Sequence, residues 1–136
     1  MSSHAETHLA IETRFDAQWA DQSVAVRYEN DARKRPTGPF IRLVIRNARA
    51  SEVGYSGNKI LYRRPGWIVA QCFVQAKEGT QAARVMADSV IAIFEGQQFS
   101  SITFRESEVV EVGDDVNGFW QVNAKVFFDF DFERSY

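Results

Sequence analysis

The chain has 136 residues, 45% of them apolar and 25% charged, which is the balance of one ordinary globular domain. Sixteen basic side chains against 18 acidic ones leave a net charge of −2, too even for a dedicated nucleic-acid binder. The single cysteine, Cys72, forms no internal disulfide. No apolar run reaches the ~20 residues that span a bilayer. The opening Met1-Ser2-Ser3-His4 lacks the basic and apolar regions of a signal peptide, so the expectation is one soluble, unprocessed domain over residues 1–136.

The first predicted element is a helix from Ser3 to Ala20. Ile11, Phe15 and Trp19 recur every four residues on one stripe, and Ser3 with Glu6 has the spacing of a capping box. Alternation over Val24, Val26 and Tyr28 predicts a short strand. Asn30 to Pro39 holds Arg33-Lys34-Arg35, two prolines and a glycine, and reads as a loop. Phe40 to Asn47 alternates again, with Ile41, Leu43 and Ile45 on the buried face and Arg42 and Arg46 on the other. The small, polar, Gly-containing stretch Ala48 to Asn58 reads as a long exposed loop of the kind that often carries function.

Lys59 to Arg64 predicts a strand, turned by Pro65-Gly66 into a second from Trp67 to Gln75. Both faces of the second are apolar, so it is expected to be central in a sheet or covered on both sides. Thr80 to Phe94 is a helix whose stripe of Ala83, Met86, Ala87, Val90, Ile93 and Phe94 can lie flat on that sheet. Short strands at Ile102–Arg105 and Val109–Val112 lead to a turn at Asp114–Gly118, where Asn117-Gly118 is a strong hairpin signal. The return strand, Phe119 to Phe132, alternates strictly. The expected fold is α+β: a mainly antiparallel sheet with two helices packed on one face.

Chemistry-bearing residues are sparse. His4, His8 and Glu12 share one helix face at metal-ligand spacing, but a solvated face near a chain end is the expectation, so no metal is assigned. Asp114 and Asp115 suit turn geometry. Asp129, Asp131 and Glu133 line one side of a strand and read as a surface that meets a basic partner or a lumen rather than an active site. Gly54-Tyr55-Ser56-Gly57 is not a nucleophile elbow, no phosphate-binding loop occurs, and Cys72 reads as a buried structural thiol. No catalytic residue and no cofactor is assigned. The basic groups Arg33 and Arg35, Arg42 and Arg46, and Arg63 and Arg64 read as solvated loops or as half of a subunit interface. Five of the 11 phenylalanines lie between Phe119 and Phe132, with Phe127 on the charged face. That is more apolar surface than two helices cover, the mark of an assembly surface.

Several local patterns carry a resemblance: Ile11-Glu12-Thr13-Arg14-Phe15 on the first helix; the basic, Pro-containing loop before Phe40-Ile41-Arg42-Leu43; Gly66-Trp67-Ile68-Val69-Ala70-Gln71-Cys72-Phe73; Gly79-Thr80 before Ala83-Arg84-Val85-Met86-Ala87-Asp88; and Gly118-Phe119-Trp120-Gln121-Val122-Asn123-Ala124. In these patterns and in the order of elements the chain resembles the tail-terminator proteins of long-tailed bacteriophages, the group similar to the lambda tail terminator. It departs from many relatives in its C-terminal phenylalanine run and in a weakly charged Ala48–Asn58 stretch. The resemblance implies a non-enzymatic virion protein, made in the host cytoplasm. Such proteins form a homo-hexameric ring on the head-proximal end of the tail tube, stop its growth, and receive head-completion or neck proteins. DNA would pass through the lumen without specific binding, and no membrane is involved. The interface residues expected on this reading are Arg33, Arg35, Arg42, Arg46, Tyr55, Arg63, Arg64, Phe127, Asp129 and Asp131, with Arg42 and Arg46 meeting Asp129 and Asp131 across subunits. Another head–tail connector, and a small-ligand-binding α+β domain, are the competing readings.

Overall fold

A computed structural model describes residues 4–21, 23–77, 79–114 and 118–135. Helix α1 (His4–Gln18) precedes strands β1 (Ala25–Tyr28), β2 (Phe40–Asn47), β3 (Ser51–Ser56) and β4 (Lys59–Gln75). Helix α2 (Gln81–Phe94) follows, then β5 (Gln98–Phe99), β6 (Ile102–Asp114) and β7 (Phe119–Ser135). All strands join one sheet in the order β1-β2-β4-β7-β6-β5, with β3 also paired to β4. Among the described residues only β1 and β2 run parallel; every other pair is antiparallel. The α+β architecture with both helices on one face is therefore the one expected.

Two 17-residue strands form the spine, since β4 and β7 pair over their whole length, from Lys59↔Ser135 to Gln75↔Phe119. Their even-numbered residues point toward the helices. Ile68, Ala70 and Cys72 of β4 and Val122, Ala124, Val126, Phe128 and Phe130 of β7 are all buried there, with Ile11 and Phe15 of α1 and Ala87, Val90 and Phe94 of α2. Phe94 links the layers, stacking on Phe15 at 6.1 Å and meeting Phe104 of β6 at 5.0 Å between ring centroids.

The sheet departs from the sequence-based expectation in four places. Pro65-Gly66 does not turn the chain, and β4 runs straight through it. The Pro65 carbonyl accepts from Ala48 N at 2.8 Å, on the side of β4 where β2 has ended and β3 has not begun. The missing proline N–H points to the same side in an extended chain, so no rung to β7 is lost. Gly66 is needed because a Cβ there would lie 2.6 Å from both the Arg46 carbonyl and the Phe128 ring. The bare backbone is the seat of that ring.

The second correction is the Ala48–Asn58 stretch, which is not a loop. Residues Ser51–Ser56 pair with β4 and turn back through Gly57-Asn58. Gly57 has φ +61, the position that two-residue hairpin turns reserve for glycine. β2 and β3 are successive segments along one edge of β4, separated by a one-residue slip, and a second slip falls between Glu52 and Gly54. Such bulges invert the inside–outside pattern, which hides a strand from a period-two reading.

Third, the two short strands expected after α2 are one, β6, kinked by bulges between Phe104 and Ser107 and between Glu111 and Gly113. Fourth, β5 makes a two-pair hairpin with β6 through Ser100 and Ser101, both at positive φ, with no glycine to announce it. The first helix is shorter than expected, ending at Gln18. The proposed cap Ser3 and the turn residues Asp115–Asn117 lie outside the described residues.

Candidate assembly surfaces

The odd-numbered residues of β4 and β7 build the face of the sheet that carries no helix. At one end Phe40, Phe73 and Phe119 form a separate buried cluster. Phe40 and Phe73 stack at 4.5 Å, and the Arg35 guanidinium, brought over by the Asn30–Pro39 loop, lies 4.9–5.4 Å from all three ring centroids. The loop that joins parallel β1 and β2 thus straps the helix-free face. Next comes a polar row, where Arg42 Nη1 donates to Gln71 Oε1 at 3.4 Å. Beyond it, the Lys125 ammonium sits 4.9 Å from the rings of both Trp67 of β4 and Phe127 of its own strand, which face each other across the two strands. These cation–π contacts let half-buried rings stay on a wet face.

Past β2 and β6 the spine continues as a three-stranded arm of β3, the start of β4 and the end of β7. Its residues are mostly exposed, Tyr55 and Val53 prominently so. Tyr62 and Phe132 stack at 5.3 Å on one side of it. Charged rungs tie the other: Arg63 grips Asp131 through two bonds of 2.9 and 3.2 Å, and Lys59 Nζ lies 3.2 Å from Glu133. Pairs this exposed contribute about 0.2–1 kcal/mol each, so they hold geometry more than stability.

The structure distributes the ten expected interface residues unevenly. Arg33 is held by Asp31 beside it, Arg46 by Glu29, Tyr55 by Glu52 and Asp129 by Arg105. The Arg33 guanidinium accordingly holds the Asp31 carboxyl well below its ordinary range. Asp129 and Asp131 already have arginine partners in their own chain, so pairing with Arg42 or Arg46 of a neighbour has to compete with these. Arg42 has no carboxylate within ion-pair distance among the described residues, and Glu29 feels its charge from farther away. Arg64 is not a surface residue at all: it is 5% exposed, donates to Thr7 Oγ1 of α1 at 3.2 Å, and lies over Phe130 and Phe132. Consecutive arginines point to opposite faces of a strand, and Arg64 falls on the helix side.

Reasoning from sequence missed Arg105 as the partner of Asp129, and Lys125 as the cover of Trp67 and Phe127. It also passed over β6, where Val109, Val110 and Val112 are each 44–50% exposed between Glu106, Glu108 and Glu111. The mixture of glutamates and valines over Glu106–Val112 is the available signal.

Of the other groups singled out, Cys72 is fully buried and its thiol is pushed up to about 12 by burial, which makes it inert. His8 faces Asn47, 3.1 Å away, rather than a second ligand. Among the described residues no three His, Cys, Asp or Glu side chains converge on one point. No helix there is long and apolar enough to cross a membrane.

No family model matches the chain, and no curated protein does. Among solved structures, one whose name carries no function shares the fold. It is 18% identical and aligns over 100% of this chain and 99% of that one, with a TM-score of 0.67.

Proposed function

We propose that the chain is a ring-forming structural subunit of a phage virion, a tail terminator. On this reading it caps the head-proximal end of the tail tube, stops its polymerisation and receives the head-completion or neck proteins. The observation that supports the reading best is the division of the sheet. Two helices seal one face, while the other face, one strand edge and a projecting arm stay open. Open sheet edges and apolar side chains left in solvent are features of subunits that meet neighbours.

The mechanism follows from contact geometry. A heterologous contact that closes by rotation makes a ring, and stacked rings grow when each presents a surface that fits the next. A terminator fits the tube on one side of its ring and fails to reproduce the tube's growing surface on the other. The β3–β4–β7 arm is the segment that would reach along the ring axis to tube or neck proteins. The lumen only has to let DNA pass, so the near-neutral net charge suits it.

Native mass spectrometry of the protein, alone and with tail tube protein, tests the reading. A hexamer of 15.5 kDa chains, alone or on the tube, is the expected species. A monomer or dimer under both conditions, or a ring that binds portal-side proteins and ignores the tube, would overturn it.

A further inference from the structure

The two long sides of the sheet differ in charge. On one side, β6 from Ser107 to Asp114 has β7 as its only strand partner among the described residues, because β5 reaches only Ile102 and Thr103. Its outer edge therefore presents unpaired backbone groups, flanked by Glu106, Glu108 and Glu111, with Val110 and Val112 exposed between them. Glu111 is bonded to Arg84 of α2 and Glu108 lies 3.9 Å from Lys125; Glu106 has no cationic partner within ion-pair distance among the described residues.

On the opposite side, beside β1, a groove of about 350 Å³ is rimmed by Arg27, Arg33, Arg35 and Arg42, with Phe40 and Phe73 in its floor. Asp31 answers Arg33, whereas Arg27 and Arg42 have no carboxylate within ion-pair distance among the described residues, and Lys34 on the same loop is exposed. The Nε of Arg27 is buried without a hydrogen-bond partner. The groove is thus a basic rim around an apolar floor, and the β6 edge is an acidic strand with apolar side chains between its charges.

We propose, building on the ring reading above, that these two surfaces are the two halves of the ring contact: the acidic β6 edge of one copy docks in the arginine groove beside β1 of the next. Charge selects this arrangement over the alternatives. Two β6 edges facing each other would set glutamates against glutamates, which disfavours a two-fold dimer. The third free edge, β3, carries Glu52 as its only charged side chain and offers β6 no counter-charge. A contact between two different surfaces on opposite sides of one sheet is heterologous, so it propagates from copy to copy and makes a ring when the rotation it imposes closes, as the ring reading requires.

Two charge-reversed proteins test this, each checked for the wild-type circular dichroism spectrum. Lys34→Glu with Arg42→Glu cancels the groove's excess positive charge and sets new carboxylates opposite the glutamates of the edge; Glu106→Lys with Glu108→Lys cancels the edge's negative charge and sets new ammonium groups opposite the arginines of the groove. All four side chains are exposed. Each variant alone is expected to lose the ring, with assembly weakened roughly tenfold or more by like charges across the contact. An equimolar mixture is expected to recover rings of alternating composition, visible as equal numbers of the two masses. Recovery on mixing cannot come from misfolded protein. Rings from either folded variant at wild-type concentration would overturn the contact and leave the ring reading standing, as would folded variants that stay unassembled when mixed although the wild type forms rings. A wild-type protein that forms no ring, alone or on the tube, would overturn both.

Discussion

Phe127 and Phe128 are adjacent in β7, yet they occupy different worlds. Phe128 is 1% exposed, seated on the bare backbone of Gly66 and 5.3 Å from the Phe104 ring, deep under the helices. Phe127 lies half-buried on the helix-free face under the aliphatic chain and ammonium of Lys125. Arg63 and Arg64 repeat the lesson in β4, one tied to Asp131 in solvent and the other sealed against Thr7 and two phenylalanines. The helix-covered face is where stability resides, because its side chains leave water completely. Outside the buried Phe40–Phe73–Phe119 cluster, the helix-free face is held by cation–π contacts and exposed ion pairs, which are weak enough to be exchanged for contacts with a neighbour.

The sharpest way to break this contrast is to truncate the two rings in parallel. Phe128→Ala is expected to cost about 3–5 kcal/mol in urea unfolding, the range for a buried aromatic that leaves a cavity. Phe127→Ala is expected to cost only about 1 kcal/mol, as for a side chain already half in water. Equal losses would show that the helix-free face is a second core. Gly66→Ala comes next. Its Cβ would collide with the Arg46 carbonyl and the Phe128 ring, an overpacking cost of roughly 1–3 kcal/mol by the same measurement. In a Phe128→Ala background the backbone collision remains, so rescue is expected to be partial.

A smaller effect is expected from Arg35→Ala, which removes one guanidinium from three rings on the helix-free face. A loss of about 0.5–2 kcal/mol is anticipated, with the Phe40–Phe73–Phe119 cluster more accessible to hydrogen exchange in its strands. No change in exchange there would show that the strap does not seal the cluster.

The smallest expected effect is a pH dependence at the margin of α1. Burial foremost, then His4 and the Arg64 and Arg46 charges, hold His8 below its ordinary value of 6.5, against an opposing pull from Glu29. The unfolded chain therefore takes up this proton at higher pH than the folded one. The stabilisation is complete above about pH 6.5 and is lost as pH falls through the lowered folded value. Between pH 7 and 5 the wild type should lose more thermal stability than a His8→Gln variant. Parallel curves would show that His8 titrates as freely as in the unfolded chain.

Fold class was legible because the long elements keep their period. α2 has an unbroken apolar stripe, and β7 alternates from Phe119 to Phe132, so helix, strand and buried face follow from spacing alone. The errors cluster where period and punctuation mislead. β3 hid behind two register slips, although Gly57-Asn58 was a hairpin signal in the sequence. Pro65-Gly66 carried every local mark of a turn and was overruled by the partners on either side.

What the sequence determined by itself is which residues are able to leave water and in what rhythm, since hydrophobicity and side-chain direction are local properties. Only the tertiary structure decided where each strand's neighbours begin and end. That is why Pro65 costs no rung to β7, why Gly66 must be bare, and why Arg64 is inside while Arg63 is out. It also decided that Asp129 and Asp131 meet arginines of their own chain, and that β6 is left with an open acidic edge opposite a basic groove. Those outcomes depend on residues far apart in sequence arriving at the same rung of the sheet, and no local pattern encodes which rung that is.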